Sequence, residues 1–316
     1  MKKYLIALIA CFVPLAALAG NGDVFGGLAT AFVPDNVKND VFTAARTGDI
    51  KILFNLHQKS ETQLTLAVNA KNKEGKTPLM IACQNGHELV AEYLVDQGAD
   101  VNTKGPQGKP ALYYAFKAQN QQARRELVKW LVLDKNAKPV PIDKNKAWFV
   151  DEALREGLTG VAEKLLPASM KKMNQAEKNN LLFDVIWRAR GVTNANKLGA
   201  FTAIITQVIN KGADINNKSI QEFWDNVEEA GNVSLFRYLA ARPQLSVGVA
   251  ATEFEELLKH DNPQYASIFV DAFLKGHKTK TNDCSDFLKY AGYDAEKYKY
   301  TDLAQTIREK KQAIDK

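Results

Sequence analysis

The sequence predicts an all-α fold, a solenoid of about seven helix-pair repeats with short turn or hairpin tips between them and a C-terminal capping helix. Residues 72–102 carry the start, stop and apolar spacing of two short helices, and parts of this segment return along the chain at intervals near 33 residues. The composition is 46% apolar and 9% aromatic over 316 residues, which provides enough apolar surface for a packed core. Disorder of the whole chain is therefore excluded.

The first 19 residues have the pattern of an export signal. Lys2 and Lys3 precede an apolar run over residues 4–18, and Ala17-Leu18-Ala19 is a small-x-small cleavage pattern. The run is too short to span a bilayer. We therefore expect a signal peptide, 1–19, cut between Ala19 and Gly20, and a mature chain that is periplasmic or secreted without membrane insertion.

A different export signal is the alternative for the same segment. Residues 8–11 are similar to a bacterial lipobox, which would lipidate Cys11. The apolar run continues past Cys11, whereas a lipobox should end it, so Cys11 is interpreted as part of the signal. Glycines and Pro34 then indicate a flexible leader, 20–36, before the repeat array, 37–300, and the capping helix, 301–316.

The clearest repeat begins at Thr77-Pro78, a helix start with a capping hydroxyl and a proline at the first helical position. Gly86 and Gly98 are placed to end the two helices in left-handed conformations. In the second helix Leu94 lies four residues after Val90, so both side chains share one apolar face.

This segment resembles the ankyrin repeat, whose pattern has G-x-T-P-L-H-x-A, then G-H, then G-A-D-V-N. Met80 stands where that pattern has histidine, and Cys83 stands where alanine is common. The resemblance implies an ankyrin-type solenoid, a binding role, and a structural role for His87 in tying adjacent turns together. Gly108 to Ala115 repeats the start of this unit in register, and Gly212 to Asn216 repeats its end.

One column of large apolar residues tests the array along the chain. Residues equivalent to Leu94 recur at intervals of 31 to 43 residues and are expected to be buried: Leu56, Leu94, Leu131, Leu165, Val208, Leu239 and Phe273. The longest interval contains the polar stretch 191–198, interpreted as a loop insertion. Gly292-Tyr293-Asp294 is interpreted as a turn before the capping helix. That helix is needed because a stacked array must end in a polar outer face.

Catalytic and cofactor motifs are missing, so we expect no enzyme, no cofactor and no metal. Gly75-Lys76-Thr77 is part of a phosphate-loop pattern, but the pattern's first glycine would fall at Ala70. An enzyme with a composite site around His57, His260 or His277 stays as the alternative. Cys83 and Cys284 belong to distant repeats, which argues against a disulfide between them.

The resemblance also implies where a partner binds, at the turn tips and at the end of the first helix of each repeat. Carried onto two repeats, these positions are Lys71, Lys73, Glu74, Lys76, Gln84, Asn85, Lys104, Pro106, Gln107, Lys109 and Lys117. Six are lysines, so we expect an acidic protein partner. Residues 104–150 hold ten basic residues against three acidic ones. Tyr113 and Tyr114 could anchor a partner, although their register predicts that at least one is core.

Several alternatives remain open at this point. Lysines at turn tips are also simply solvated in many proteins. Nucleic acid is not expected, because the signal removes the chain from it. We expect a monomer that acts as an exported interaction protein. The alternatives are an immunity-type inhibitor of a periplasm-targeted toxic enzyme and an exported, host-directed ankyrin protein.

Overall fold

A computed structural model describes residues 33–217, 224, 226–278 and 280–316. The predicted signal peptide and residues 20–32 of the predicted leader lie outside this part of the chain. The described residues are helical, and the β-type pairing among them is an isolated bridge between Ile142 and Asn145. Two compact units divide the chain: unit 1 ends at Lys171 and unit 2 comprises Lys172–Lys316.

Unit 1 consists of four helix pairs, one for each of its repeats. They are α1 (Asp35–Thr47) with α2 (Ile50–Ala67), α3 (Pro78–Asn85) with α4 (Glu88–Asp96), α5 (Ala111–Phe116) with α6 (Gln121–Lys129), and α7 (Trp148–Arg155) with α8 (Thr159–Met170). A π-helical turn, Trp130–Asp134, continues α6. The first helix begins two residues before the expected start of the array, and Val33 ahead of it is buried.

The second repeat has the helix start and the helix stops that its sequence predicts. The Thr77 hydroxyl accepts a hydrogen bond from the Met80 N–H at 3.3 Å, and Pro78 occupies the first position of α3. Gly86 has φ 76° and Gly98 has φ 94°, so both lie in the left-handed region as predicted.

Side-chain amides and one imidazole join neighbouring repeats of unit 1. Asn69 Oδ1 accepts from the Asp100 N–H at 2.9 Å, and Asn102 Oδ1 accepts from the Lys138 N–H at 2.8 Å. His87 Nε2 donates to the Arg46 carbonyl at 3.1 Å, which confirms its predicted structural role. These bonds satisfy turn backbone groups that stacking removes from water.

Unit 2 continues the pattern with longer helices. They are α9 (Gln175–Ala189), α10 (Ala195–Asn210), α11 (Val233–Ala240), α12 (Val247–Lys259), α13 (Pro263–Gly276), α14 (Thr281–Lys297) and α15 (Thr301–Ile314). The Gly212–Asn216 copy behaves like its counterpart in unit 1, because Gly212 has φ 94° and Asn216 Oδ1 accepts from the Ser246 N–H of the next repeat at 2.7 Å.

The predicted apolar column is confirmed. Each member is buried and lies on the second helix of its pair or on the π turn that continues it, from Leu56 in α2 to Phe273 in α13. The C-terminal helix is also present, as α15, with Ile307 buried and Arg308 exposed.

One turn assignment is half right and another is wrong. Residues 191–194 form the turn after α9, whereas residues 195–198 belong to α10, which Asn194 caps and in which Leu198 is buried. The long interval therefore includes the first turn of α10. Gly292 does not form a turn but lies inside α14, where a β-carbon would be 3.6 Å from Ile307 Cγ2. α14 and α15 pack against each other, so the last helix is half of a further pair.

Both described cysteines are buried thiols, and burial raises the pKa of Cys83 to about 12. This agrees with the small core residue expected at that position. Within the described ranges, no helix combines the length and apolar character needed to cross a bilayer.

Candidate protein-binding surface

The tip before α3 is a tight turn organised by one asparagine. The Asn72 N–H donates to the Lys76 carbonyl at 2.9 Å, and Asn72 Oδ1 accepts from the N–H groups of Glu74 at 3.0 Å and of Lys76 at 2.9 Å. These bonds hold Lys73 and Glu74 outward, where both are exposed.

The next tip lies directly beside it. The Gly105 N–H donates to the Lys109 carbonyl at 3.0 Å. This bond closes the second tip in the same way that the bond from the Asn72 N–H to the Lys76 carbonyl closes the first. A β-carbon on Gly75 would lie 3.9 Å from Pro106 Cγ, and one on Gly105 would lie 2.6 Å from Met80 Sδ. The first distance is an ordinary contact and shows that the two tips adjoin, and the second shows that glycine lets the Gly105 backbone approach Met80 of α3.

Lys76 links the tip of repeat 2 to the first helix of repeat 3. Its Nζ lies 3.1 Å from Glu74 Oε2, 3.3 Å from Gln84 Oε1 and 5.4 Å from the centre of the Tyr114 ring. Tyr114 is buried, and this burial, with smaller contributions from Tyr113 and Glu74, raises the pKa of its hydroxyl.

Lys109 and Lys117 both lie close to the Tyr113 ring. Their Nζ atoms lie 4.7 Å and 5.8 Å from the centre of the Tyr113 ring, and Lys117 Nζ also lies 5.1 Å from that of Trp148. The Tyr113 and Trp148 rings are 5.0 Å apart with a tilt of 33°. Cation–π attraction at such distances favours ordered ammonium groups over freely rotating ones.

We call this set the lysine–aromatic surface: Lys76, Lys109, Lys117, Tyr113, Tyr114 and Trp148. It crosses three repeats of unit 1 and alternates positive charge with aromatic rings. Tyr114 is the core member that the register predicted, while Tyr113 is half-buried and Lys117 is exposed.

Trp148 was missed by sequence reasoning. It begins α7, but the loop before it departs from the 33-residue register, so no repeat position pointed to it. A hairpin-like turn with positive φ at Asp143 and Lys144 lies in that loop. The sequence signal that could have directed attention to this loop was the basic composition of residues 104–150. The exposed Lys144 contributes to that composition.

Most of the other predicted positions fall into two groups. Lys71, Lys73 and Lys104 are exposed and have no ion pair with any described residue. Gln84 and Gln107 instead accept hydrogen bonds from Lys76 and Lys109. Two further positions differ from these groups: Asn85 donates to the Arg46 carbonyl at 3.3 Å and so holds repeats together, and Pro106 packs against Gly75.

The described histidines differ in their surroundings. His277 is buried, with its two ring nitrogens 3.0 Å from the carbonyl oxygens of Phe273 and Leu245. His57 contacts Gln97 at 3.2 Å, and His260 is exposed. In the part of the chain that the structure describes, no group of three His, Cys, Asp or Glu side chains is placed to hold a metal ion.

Comparison with known proteins identifies the class of repeat. Residues 41–143 match the family model for ankyrin repeats, in three copies. These residues include both turn tips and all of the lysine–aromatic surface except Trp148. This region of unit 1 is therefore built from ankyrin repeats, a class that indicates protein–protein interaction.

Curated relatives match over short segments. Alpha-latrocrustotoxin-Lt1a of Latrodectus tredecimguttatus is 42% identical over 65 residues, which are 21% of this chain and 4% of the toxin. Sex-determining protein fem-1 of Caenorhabditis elegans is 31% identical over 21% of this chain and 10% of its own. Palmitoyltransferase akr1 of Neurospora crassa is 34% identical over 23% of this chain and 10% of its own. The matched segment is thus at most a tenth of each of these relatives, and the match to akr1 lies in its ankyrin region.

Proposed function

We propose that this chain is a non-enzymatic, exported interaction protein that binds an acidic protein partner. The partner would contact the lysine–aromatic surface together with the exposed tip lysines Lys71, Lys73 and Lys104. The observation that carries the proposal is the alternation of lysine ammonium groups with Tyr113 and Trp148 on adjoining repeats.

This arrangement supplies both requirements of a protein-binding site. Aromatic residues are the commonest anchors of protein interfaces, and charges placed around them select the partner and speed encounter. Lysines that already lie over aromatic rings lose less side-chain freedom on binding than free lysines do, which favours affinity. A carboxylate-rich partner would therefore meet a charged surface that is already ordered.

Export is the second part of the proposal. It is supported by the charged start, apolar run and small-x-small pattern of residues 1–19. Intact mass of the protein purified from its native host should show an N-terminus at Gly20. Fractionation then distinguishes periplasm from medium. An uncleaved chain, or one acylated at Cys11, would overturn the assigned cleavage.

Charge reversal tests the surface. The variant Lys73→Glu, Lys76→Glu, Lys104→Glu, Lys109→Glu should lose partner capture from extracts of the native compartment, read by mass spectrometry. The matched control reverses four exposed lysines elsewhere: Lys171, Lys172, Lys289 and Lys299. Both variants change the net charge equally. Equal loss in both, or capture unchanged in the first, would reject the assigned surface.

A further inference from the structure

A second surface of unit 1 has the opposite charge. Between α4 and the helix formed by α6 and its π turn lies an open groove of about 430 Å³. Carboxylates of Glu88 and Glu92 line one side, and Glu126 and Asp134 line the other. None of these four residues belongs to the lysine–aromatic surface.

The carboxylates of the groove are poorly compensated. Lys129 also lines it, but its Nζ is paired with Glu126 at 3.1 Å. Lys135, which lies 5.6 Å from the Trp130 ring, is paired with Asp96 at 3.6 Å. Among the described residues, Glu88, Glu92 and Asp134 have no ion pair. Burial, followed by repulsion from Glu126 and Glu92, raises the pKa of Glu88. An incoming cation would relieve this repulsion.

The groove also presents apolar surface. Trp130 and Leu133 line it; Leu133 is 48% exposed and Trp130 is half-buried. Both belong to the π turn, which is closed by the Lys135 N–H donating to the Trp130 carbonyl at 3.0 Å. Wide turns of this kind occur at helix C-termini, and this one ends the α6 helix.

We propose that this groove binds a cationic amphipathic segment of a partner protein, whose lysines or arginines pair with Glu88, Glu92 and Asp134 while its apolar side chains cover Trp130 and Leu133. The acidic rim favours positive charge, and the half-buried Trp130 and exposed Leu133 favour an apolar face. A purely polar cationic ligand would leave Leu133 in water. This site is separate from the surface of the proposed function.

The test uses a tryptophan-free peptide of lysine and leucine, about four helical turns long and labelled with fluorescein, and the full mature chain. Fluorescence anisotropy should show binding of this peptide. Glu92→Lys should not weaken binding of a glutamate–leucine peptide of equal length, because the lysine–aromatic surface is the site that attracts acidic ligands. Glu92→Lys should weaken binding about tenfold, and Leu133→Ser should weaken it several-fold. Circular dichroism of each variant reports whether the helices are retained.

Asp286→Lys is the matched control, because Asp286 is exposed in unit 2 and its reversal changes the net charge by the same amount. It should leave binding within about twofold. Equal weakening by Asp286→Lys would mean adsorption to general negative charge and would overturn the proposal. So would binding that Leu133→Ser does not change.

A second copy of the chain is the competing occupant. Concentration-dependent self-association in analytical ultracentrifugation, abolished by Glu92→Lys, would assign the groove to it and overturn the peptide proposal. The charge-reversed tip variant should still bind the cationic peptide. Failure in the groove and failure at the lysine–aromatic surface are therefore distinguishable.

Discussion

Gly48, between α1 and α2, shows how closely the first two repeats fit. It has φ 78°, a conformation that costs an ordinary L-residue about 1–2 kcal/mol. A β-carbon there would also lie 2.7 Å from Nδ1 of His87, whose ring bonds to the Arg46 carbonyl. Both the backbone and the packing therefore require glycine.

Gly48→Ala should lower the free energy of unfolding by about 2–4 kcal/mol, because the strained backbone and the clash with His87 add. Gly98→Ala is the control: Gly98 has φ 94° but no atom near its β-carbon position, so its cost should be about 1–2 kcal/mol. Urea denaturation measures both. In a His87→Ala background the cost of Gly48→Ala should fall to that of Gly98→Ala, and an unchanged cost would contradict the packing argument.

Burial should make Cys83 unreactive in the native state. Its thiol pKa is raised from 9.0 to about 12, so the thiolate that attacks Ellman's reagent is scarce at pH 8. We expect almost no labelling of Cys83 until urea unfolds the chain. Because the native state holds the proton more tightly, its contribution to stability is complete below pH 9 and is lost as the pH rises from 9 towards 12. Rapid native labelling would show that the repeat opens.

At the scale of elements, unit 2 uses one asparagine to join two helices. Asn232 Oδ1 caps α11 by accepting from the Leu235 N–H at 3.0 Å. Its Nδ2 lies 3.0–3.2 Å from the carbonyl oxygens of Ala189, Arg190 and Val192, just past the end of α9. The end of one helix and the start of another are thus satisfied by a single side chain.

Asn232→Ala should destabilise the chain by roughly 3 kcal/mol, because about 1 kcal/mol comes from the cap and about 1 from each of two donated hydrogen bonds. Asn232→Ser keeps a capping oxygen and loses the amide donors, so its cost should be roughly 2 kcal/mol. Thermal unfolding followed by circular dichroism measures both. Equal costs would mean that the cap contributes nothing.

At the scale of the whole molecule, charge is unevenly distributed. The formal net charge is +6, yet residues 104–150 alone hold ten basic and three acidic residues. Unit 1 also holds the acidic groove between α4 and α6. Surfaces of both signs on one unit allow two partners of opposite charge, each attracted to its own site.

Partner capture should therefore fall with salt. Screening shortens the reach of exposed charges from about 10 Å at 0.1 M salt to about 3 Å at 1 M. Wild-type capture should decrease over that range but not vanish, since Tyr113 and Trp148 also make apolar contacts. Trp148→Ala should remove most of the capture that survives at high salt, whereas Trp187→Ala, an exposed tryptophan of unit 2, should not. Capture insensitive to salt would contradict an electrostatic site.

The sequence by itself determined the helix pairs and the buried column. These follow from local chemistry, because Thr77, Pro78, Gly86 and Gly98 act on the backbone within a few residues of themselves. The copy at Gly212 was recognisable for the same reason. The lysines at the turn tips could likewise be located from the composition and the repeat register. Their role in binding stays a prediction.

Only the tertiary structure decided which residues from different repeats meet. The position of Trp148 over Lys117 depends on an irregular loop that breaks the register. The packing of Gly292 on Ile307, and the meeting of Glu92 with Trp130 across a groove, depend on how separate helices stack. A repeat pattern specifies each helix from nearby residues. A contact between helices instead joins residues that are 15 or more positions apart in these examples, and the loops between them are free to change that spacing.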